Sequence, residues 1–338
     1  MNTKETLGGN RFDVAPSKSL RSLRSKVWFH FVSHKTGLHT GYGLENFLES
    51  GRINRSGSRL TRPCKYDRYK RGLHIPRKRT SEKVEKQVPG ARYYLNHSFW
   101  EVAETPAESE IAIYRSLRRL RPEIKRLIFD NYRDSRMIVR NRSVGLNETF
   151  KILSCEADFD ALAAAIGLIQ VEIHHKNPYG IVVLCARPTE ILIGRLIAKP
   201  PFSEVADELY QYVHTQFLEH PIDKSYLPDS LSSDDGYRFD SEFTINRYRF
   251  LMKLASDLEV FRKYKDIPTA SLHIIERYAS QLPFEDVRKE CIGDNYSPLR
   301  KHPIMRNMKR CLRRWEKHHP PSMYANYSST GQLPNRGQ

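Results

Sequence analysis

The chain has 338 residues, 39% of them apolar and 11% aromatic, enough for at least one sizeable core and too aromatic for a disordered polymer. Its formal net charge of +17 is uneven: residues 1–150 hold 31 Lys/Arg against 15 Asp/Glu, and residues 151–338 hold 25 against 24. The five cysteines (Cys64, Cys155, Cys185, Cys291, Cys311) are scattered and form no C-x-x-C pair, which excludes a disulfide framework or a zinc knuckle and fits reduced, cytoplasmic thiols.

Residues 1–26 are polar, with a Ser/Arg/Lys run, and read as a flexible basic arm, free or laid along a phosphate backbone. Val27–Val32 is aromatic and β-branched, a buried strand or the start of a core helix. Leu44–Leu48 predicts a short helix ended by Gly51, and the Gly/Ser/Arg-rich stretch Arg52–Pro63 predicts a loop. Short helices are expected at Lys65–Arg71 and Ser81–Val88.

Within Arg52–Arg92 there are 14 bases against 3 acids, with Tyr66, Tyr69, Tyr93 and Tyr94 interleaved. A field of one sign predicts a phosphate-bearing partner. The spacing Tyr66-x-x-Tyr69-x-x-Gly72-x-x-x-Pro76 resembles the closing part of a Cro/C1-type (lambda-repressor-like) helix-turn-helix, over residues 43–90. The tyrosines would anchor the reading helix, Gly72 would take the left-handed turn that stops it, and Pro76 would open the next helix.

The resemblance implies that Arg62, Lys65, Asp67 and Arg68 sit on or beside the helix that faces the major groove and that Lys70 and Arg71 approach phosphates. Arg77, Lys78 and Arg79 extend the same basic surface, and Leu44, Phe47 and Leu48 would form the first helix of the pair. Two departures stand out: an enlarged turn between Ser50 and Pro63, and Lys70 where the family has an acid.

Ala107–Tyr132 has helical periodicity interrupted by Pro122, which predicts a kink or two abutting helices. Its other face carries Arg115, Arg118, Arg119, Arg121, Lys125 and Arg126, either solvated or lining the basic surface. Residues 151–299 turn acidic, with 16 bases and 23 acids. Helices are expected there at Glu156–Val171, Thr189–Ile197, Ser203–Leu218, Arg247–Lys265 and Thr269–Gln281, with Tyr226–Tyr237 as a loop.

The stretch 181–198 is the most membrane-like, but Arg187, Pro188, Glu190 and Arg195 interrupt it, so no membrane span is expected. Arg300–Lys317 carries 8 bases and 1 acid around a stripe of Ile304, Met308, Cys311, Leu312 and Trp315. The stripe is core or interface. The basic face either meets phosphate or docks on the acidic 151–299 region. The tail after His318 is expected to be disordered.

Glu172-x-His174-His175-Lys176-Asn177 resembles the opening of an HNH nuclease, but the Asn and His that such a site needs downstream are missing; a helix C-terminus is the simpler account. Asp234, Asp235, Asp240 and Glu242 form an acidic loop that could also be a metal site. No catalytic residue, metal ligand or cofactor is assigned.

The expected fold is mainly α: an arm (1–26), a basic helix-turn-helix-like region (27–105), a helical domain (106–318) and a tail (319–338). The expected function is nucleic-acid binding, duplex DNA first, in transcription regulation or mobile-element biology, with self-association through the C-terminal helices. A metal-dependent nuclease and an RNA-binding scaffold are the alternatives.

Overall fold

The computed structural model describes residues 15–49, 54–56, 59–61, 64–104, 109–130, 139–140, 144–177, 180–219, 250–251, 254, 258, 271–279 and 303–318. The protein is mainly α-helical, with two short antiparallel ladders. The calls at 1–14, Arg62, Tyr226–Tyr237, Asp234–Glu242, most of Arg247–Lys265 and the tail fall outside these residues.

Helix α1 (Ala15–Thr36) replaces both the arm expected over 15–26 and the separate element expected at Val27–Val32. Leu20, Leu23 and Val27, spaced three and four apart, line one core, while Trp28, Phe29 and Val32 line another. The Ser/Arg/Lys residues between these apolar positions hide the period from a composition reading. A stripe on each side lets α1 join two layers.

On the second side lie α2 (Gly41–Glu49), α3 (Lys65–Lys70), α4 (Lys78–Gln87) and α5 (Ala91–Leu95). The expected loop at Arg52–Pro63 contains a hairpin of β1 (Asn54–Ser56) and β2 (Arg59–Thr61), with Ser56 opposite Arg59. Gly57-Ser58 is the two-residue spacer that favours such a hairpin.

α6 (Ser98–Glu104), α7 (Glu110–Ser116) and α8 (Pro122–Ile128) follow, with a 3₁₀ turn at Leu117–Arg119. The expected break is at Pro122, which takes a first-turn position where its missing N–H costs nothing. A two-residue ladder pairs β3 (Phe129–Asp130) with β4 (Val139–Arg140).

The helix expected at Glu156–Val171 is α10 (Phe159–His174), and a separate helix not expected from the sequence, α9 (Leu146–Glu156), precedes it. Ala157 turns left-handed at φ 41°, and the Asp158 carboxylate accepts the Ala161 N–H at 2.8 Å, starting α10 afresh. Rather than showing one apolar face, α10 is buried all round from Phe159 to Glu172. Its Ala and Gly positions admit close neighbours: a Cβ on Gly167 would come within 2.7 Å of Leu117.

α11 (Arg187–Ile197) and α12 (Ala206–Val213) close this core, each adjoining a π-helical turn, at Gly180–Ala186 and His214–Glu219. The same core holds Leu20, Phe99 and Ile166, so packing runs across the boundary expected at residue 105. A smaller core joins α13 (Leu272–Ala279) and α14 (Pro303–His318) through Leu272, Ile275, Met305, Met308 and Leu312. The apolar stripe of α14 is therefore core. Buried Arg195 ties α9, α11 and α13 together, donating to Ser154 O at 2.5 Å and pairing with Glu276.

Candidate nucleic-acid interface

The inner side of residues 64–92 is aromatic. Tyr66 is fully buried and Tyr69 is 6% exposed, and Trp28 lies 6.4 Å from the first ring and 5.5 Å from the second. The expected anchoring by these tyrosines is met. Burial pushes the Tyr66 and Tyr69 hydroxyls above the ordinary phenol range, so both stay neutral. Tyr94 stacks at 4.3 Å on Phe31 and also lies against Phe159. The interleaved tyrosines thus serve packing.

Two buried carboxylates of α2 fix the start of α3. Glu45 Oε1 accepts the Lys65 backbone N–H at 2.9 Å, and Glu49 forms an ion pair with the Lys65 ammonium. Asp67 returns the contact: a Cβ on Gly41, the first residue of α2, would collide with its carboxylate. Each helix therefore begins against an acid of the other, the arrangement that suits the positive end of a helix.

Lys65, expected among the nucleic-acid contacts, is instead held against Glu49 of α2, and Asp67 abuts Gly41 of the same helix. Leu44, Phe47 and Leu48 all lie in α2, as expected for the first helix of the pair; Leu44 and Leu48 are buried and Phe47 is 53% exposed.

The turn after α3 is strapped to α1. Ser25 Oγ donates within reach of both Tyr69 O (3.1 Å) and His74 O (2.6 Å). Gly72 has φ 71°, as expected for the residue that stops the helix, and any Cβ there would strike Ser22 Oγ. Pro76 is buried but lies before the cap residue Arg77, so Lys78 opens α4 and not Pro76.

The outer side is of one sign. Arg68, Lys70, Arg71, Arg77, Lys78, Arg79, Lys83, Lys86 and Arg92 are all exposed. The acids of the segment, Asp67, Glu82 and Glu85, are partly buried. Glu85 is occupied by the backbone, accepting the N–H groups of Gly90 at 2.9 Å and Arg92 at 2.6 Å. Of the expected contact residues, Arg68, Lys70, Arg71, Arg77, Lys78 and Arg79 are exposed; Lys65 is half-buried against Glu49, and Arg62 lies outside the described residues.

Lys83 and Lys86 are exposed because α4 turns one side inward through Ser81 and Val84, a helical spacing legible in the sequence, and Arg92 on α5 is exposed as well. At one edge of the face, Arg24, Lys78, Arg92 and Asn96 surround a cavity of about 300 Å³ walled by Ile75, Pro76 and Leu95.

Other expected elements sort differently. Arg121, counted on the basic face of Ala107–Tyr132, is buried and paired with Glu156 at 2.6 Å and Asp158 at 2.9 Å. Beside it His97 Nε2 lies 3.0 Å from Asp160, and its Nδ1 accepts the Phe99 N–H at 3.1 Å, which leaves Nε2 as the nitrogen that donates to Asp160. Arg306, Arg310, Arg313 and Arg314 of α14 are exposed.

His174 and His175 stand exposed at the end of α10, while Glu172 accepts from Asn177 Nδ2 at 2.7 Å. The simpler account of this run, a helix C-terminus, matches the structure. No group of three or more His, Cys, Asp or Glu could hold a metal among the described residues, and no helix among them is long and apolar enough to cross a membrane.

Comparisons with family models, with curated proteins and with solved structures return no match.

Proposed function

We propose that the protein binds nucleic acid, duplex DNA first, through the outer face of residues 65–92. One observation carries this reading: every exposed charged side chain from Lys65 to Arg92 is a base, the acids of that segment being partly buried. Unneutralised cations on a rigid helical surface repel one another unless a polyanion covers them, and phosphate backbone is the polyanion that suits them.

In this reading α2 and α3 act as the helix pair of a helix-turn-helix with a hairpin in place of the tight turn. The outward residues of α3 and its end, Arg68, Lys70 and Arg71, are few, so phosphate contacts dominate and base reading is secondary. Burial of Tyr66 and Tyr69 favours duplex over single-stranded RNA, since stacking on unpaired bases needs exposed rings.

The test is charge reversal. Arg68→Glu, Arg71→Glu and Lys83→Glu together should weaken duplex binding by at least about a hundredfold at constant salt, as expected when phosphate contacts dominate. Thermal melting should stay unchanged, because none of the three supports the core. Unchanged affinity would refute the reading.

A further inference from the structure

Helix α14 presents a second surface of one sign, far along the chain from the first. We infer that its outer face is a further contact surface for duplex nucleic acid, built from residues other than 65–92. It rests on the nucleic-acid reading above for the class of polyanion, and gives each chain two separate places for phosphate.

The two sides of α14 are divided by helical spacing. Met305, Met308 and Leu312 are buried in the core shared with Leu272 and Ile275 of α13. Arg306, Arg310, Arg313 and Lys317 follow the spacing i, i+4, i+7, i+11 along the other side, with Arg314 next to them, and all five are exposed. At 1.5 Å per residue this row is about 16 Å long. Glu316, the only acid of the helix, lies three turns after Met305 on the core side and is half-buried.

Nothing close by neutralises the row. The one acid of α13, Glu276, is taken by Arg195, and none of the five exposed bases pairs with an acid among the described residues. Like charges at i, i+4 oppose one another on a bare helix, and a polyanion laid along them removes that cost.

The composition of the helix selects duplex over other polyanions. Four of the five bases are arginines, whose planar forks suit phosphate oxygens. The apolar side is spent on the core, which leaves no face to enter a lipid interface as a membrane-surface helix requires. Ile304 and Trp315 are half-buried against the same core, so no free ring stands ready to stack on an unpaired base. A row of about 16 Å matches the axial length of roughly five phosphates on one strand of a duplex.

Two charge-reversed chains separate this inference from the reading it rests on. One carries Arg306→Glu, Arg310→Glu and Arg313→Glu; the other is the Arg68, Arg71 and Lys83 reversal. Sedimentation velocity would count bound blunt duplexes of about 12 base pairs, a little over one helical turn. The wild type should bind two per chain and each reversed chain one. Adding the α14 substitutions to the other reversal should weaken the remaining affinity by at least about tenfold at constant salt.

An α14 reversal that leaves the count and the remaining affinity unchanged overturns the inference, as does a single duplex per wild-type chain that the 65–92 reversal abolishes. A single duplex lost only in the α14 reversal refutes the 65–92 reading and sustains the α14 surface. Wild-type chain that sediments with phosphatidylserine vesicles but takes no duplex overturns both. Replacing the same three arginines by Gln carries the test if the Glu variant melts early. Early melting of both variants with duplex binding unchanged would assign the row to the chain's own acids and overturn the inference.

Discussion

The outer face of α3–α5 and the junction of α8, α9 and α10 both carry arginine, yet they use it in opposite ways. At the junction, Arg121 is enclosed by Glu156 and Asp158, with Asp160 3.9 Å away. On the outer face, the segment's acids are partly buried, with Glu85 bonded to backbone N–H groups, and the bases stand in solvent. The difference teaches that a surplus of positive charge locates a binding surface only after the paired cations have been subtracted. The same holds within α3, where Lys65 neutralises buried Glu49 and Arg68, three residues on, is exposed.

The sharpest break of this contrast is Lys65→Ala, which leaves Glu49 buried without its cation. It should cost about 3–5 kcal/mol of unfolding free energy in denaturant titration; a neutral result would mean Lys65 is not structural.

Glu190 tests the interior next. Burial raises its carboxyl from 4.5 to about 7, against a smaller opposing pull from Arg187. Between these values the unfolded chain has released a proton that the folded chain retains, so this residue's contribution to stability falls as pH rises from about 4.5 to about 7. Glu190→Gln should therefore stabilise the protein by up to about 3 kcal/mol above pH 7 and have little effect near pH 4. Chemical denaturation at the two pH values reads the difference, and an equal effect at both would contradict the assignment.

Arg121→Ala should cost about 2 kcal/mol, less than Lys65→Ala because its partners Glu156 and Asp158 are partly exposed. Arg68→Ala should change stability by no more than about 0.5 kcal/mol, the ordinary range for a surface substitution. Comparable losses at Arg68 and Arg121 would erase the distinction between the two regions.

Much of the local structure is legible in the sequence, because it depends on neighbours in the chain. The break at Pro122, the stop at Gly72 and the helical stretches at 65–70 and 187–197 all follow from turn chemistry or periodicity. What the sequence hides depends on distant partners. Lys65 looks like any exposed base until Glu49 is folded against it, and Arg121 looks like Arg118 until the left-handed turn at Ala157 swings Asp158 beneath it. Leu20 and Leu23 were obscured by the Ser/Arg run around them, and the pairing of 54–56 with 59–61 lies in a stretch that composition alone reads as loop.

The most direct test of the central claim is the salt dependence of binding to a blunt duplex. If the exposed bases of residues 65–92 neutralise about six to eight phosphates, affinity should fall by roughly three to four orders of magnitude between about 50 and 200 mM salt, and the Arg68/Arg71/Lys83 reversal should flatten that slope. A slope near zero, or one that the reversal leaves unchanged, would contradict the assignment of this face to nucleic acid.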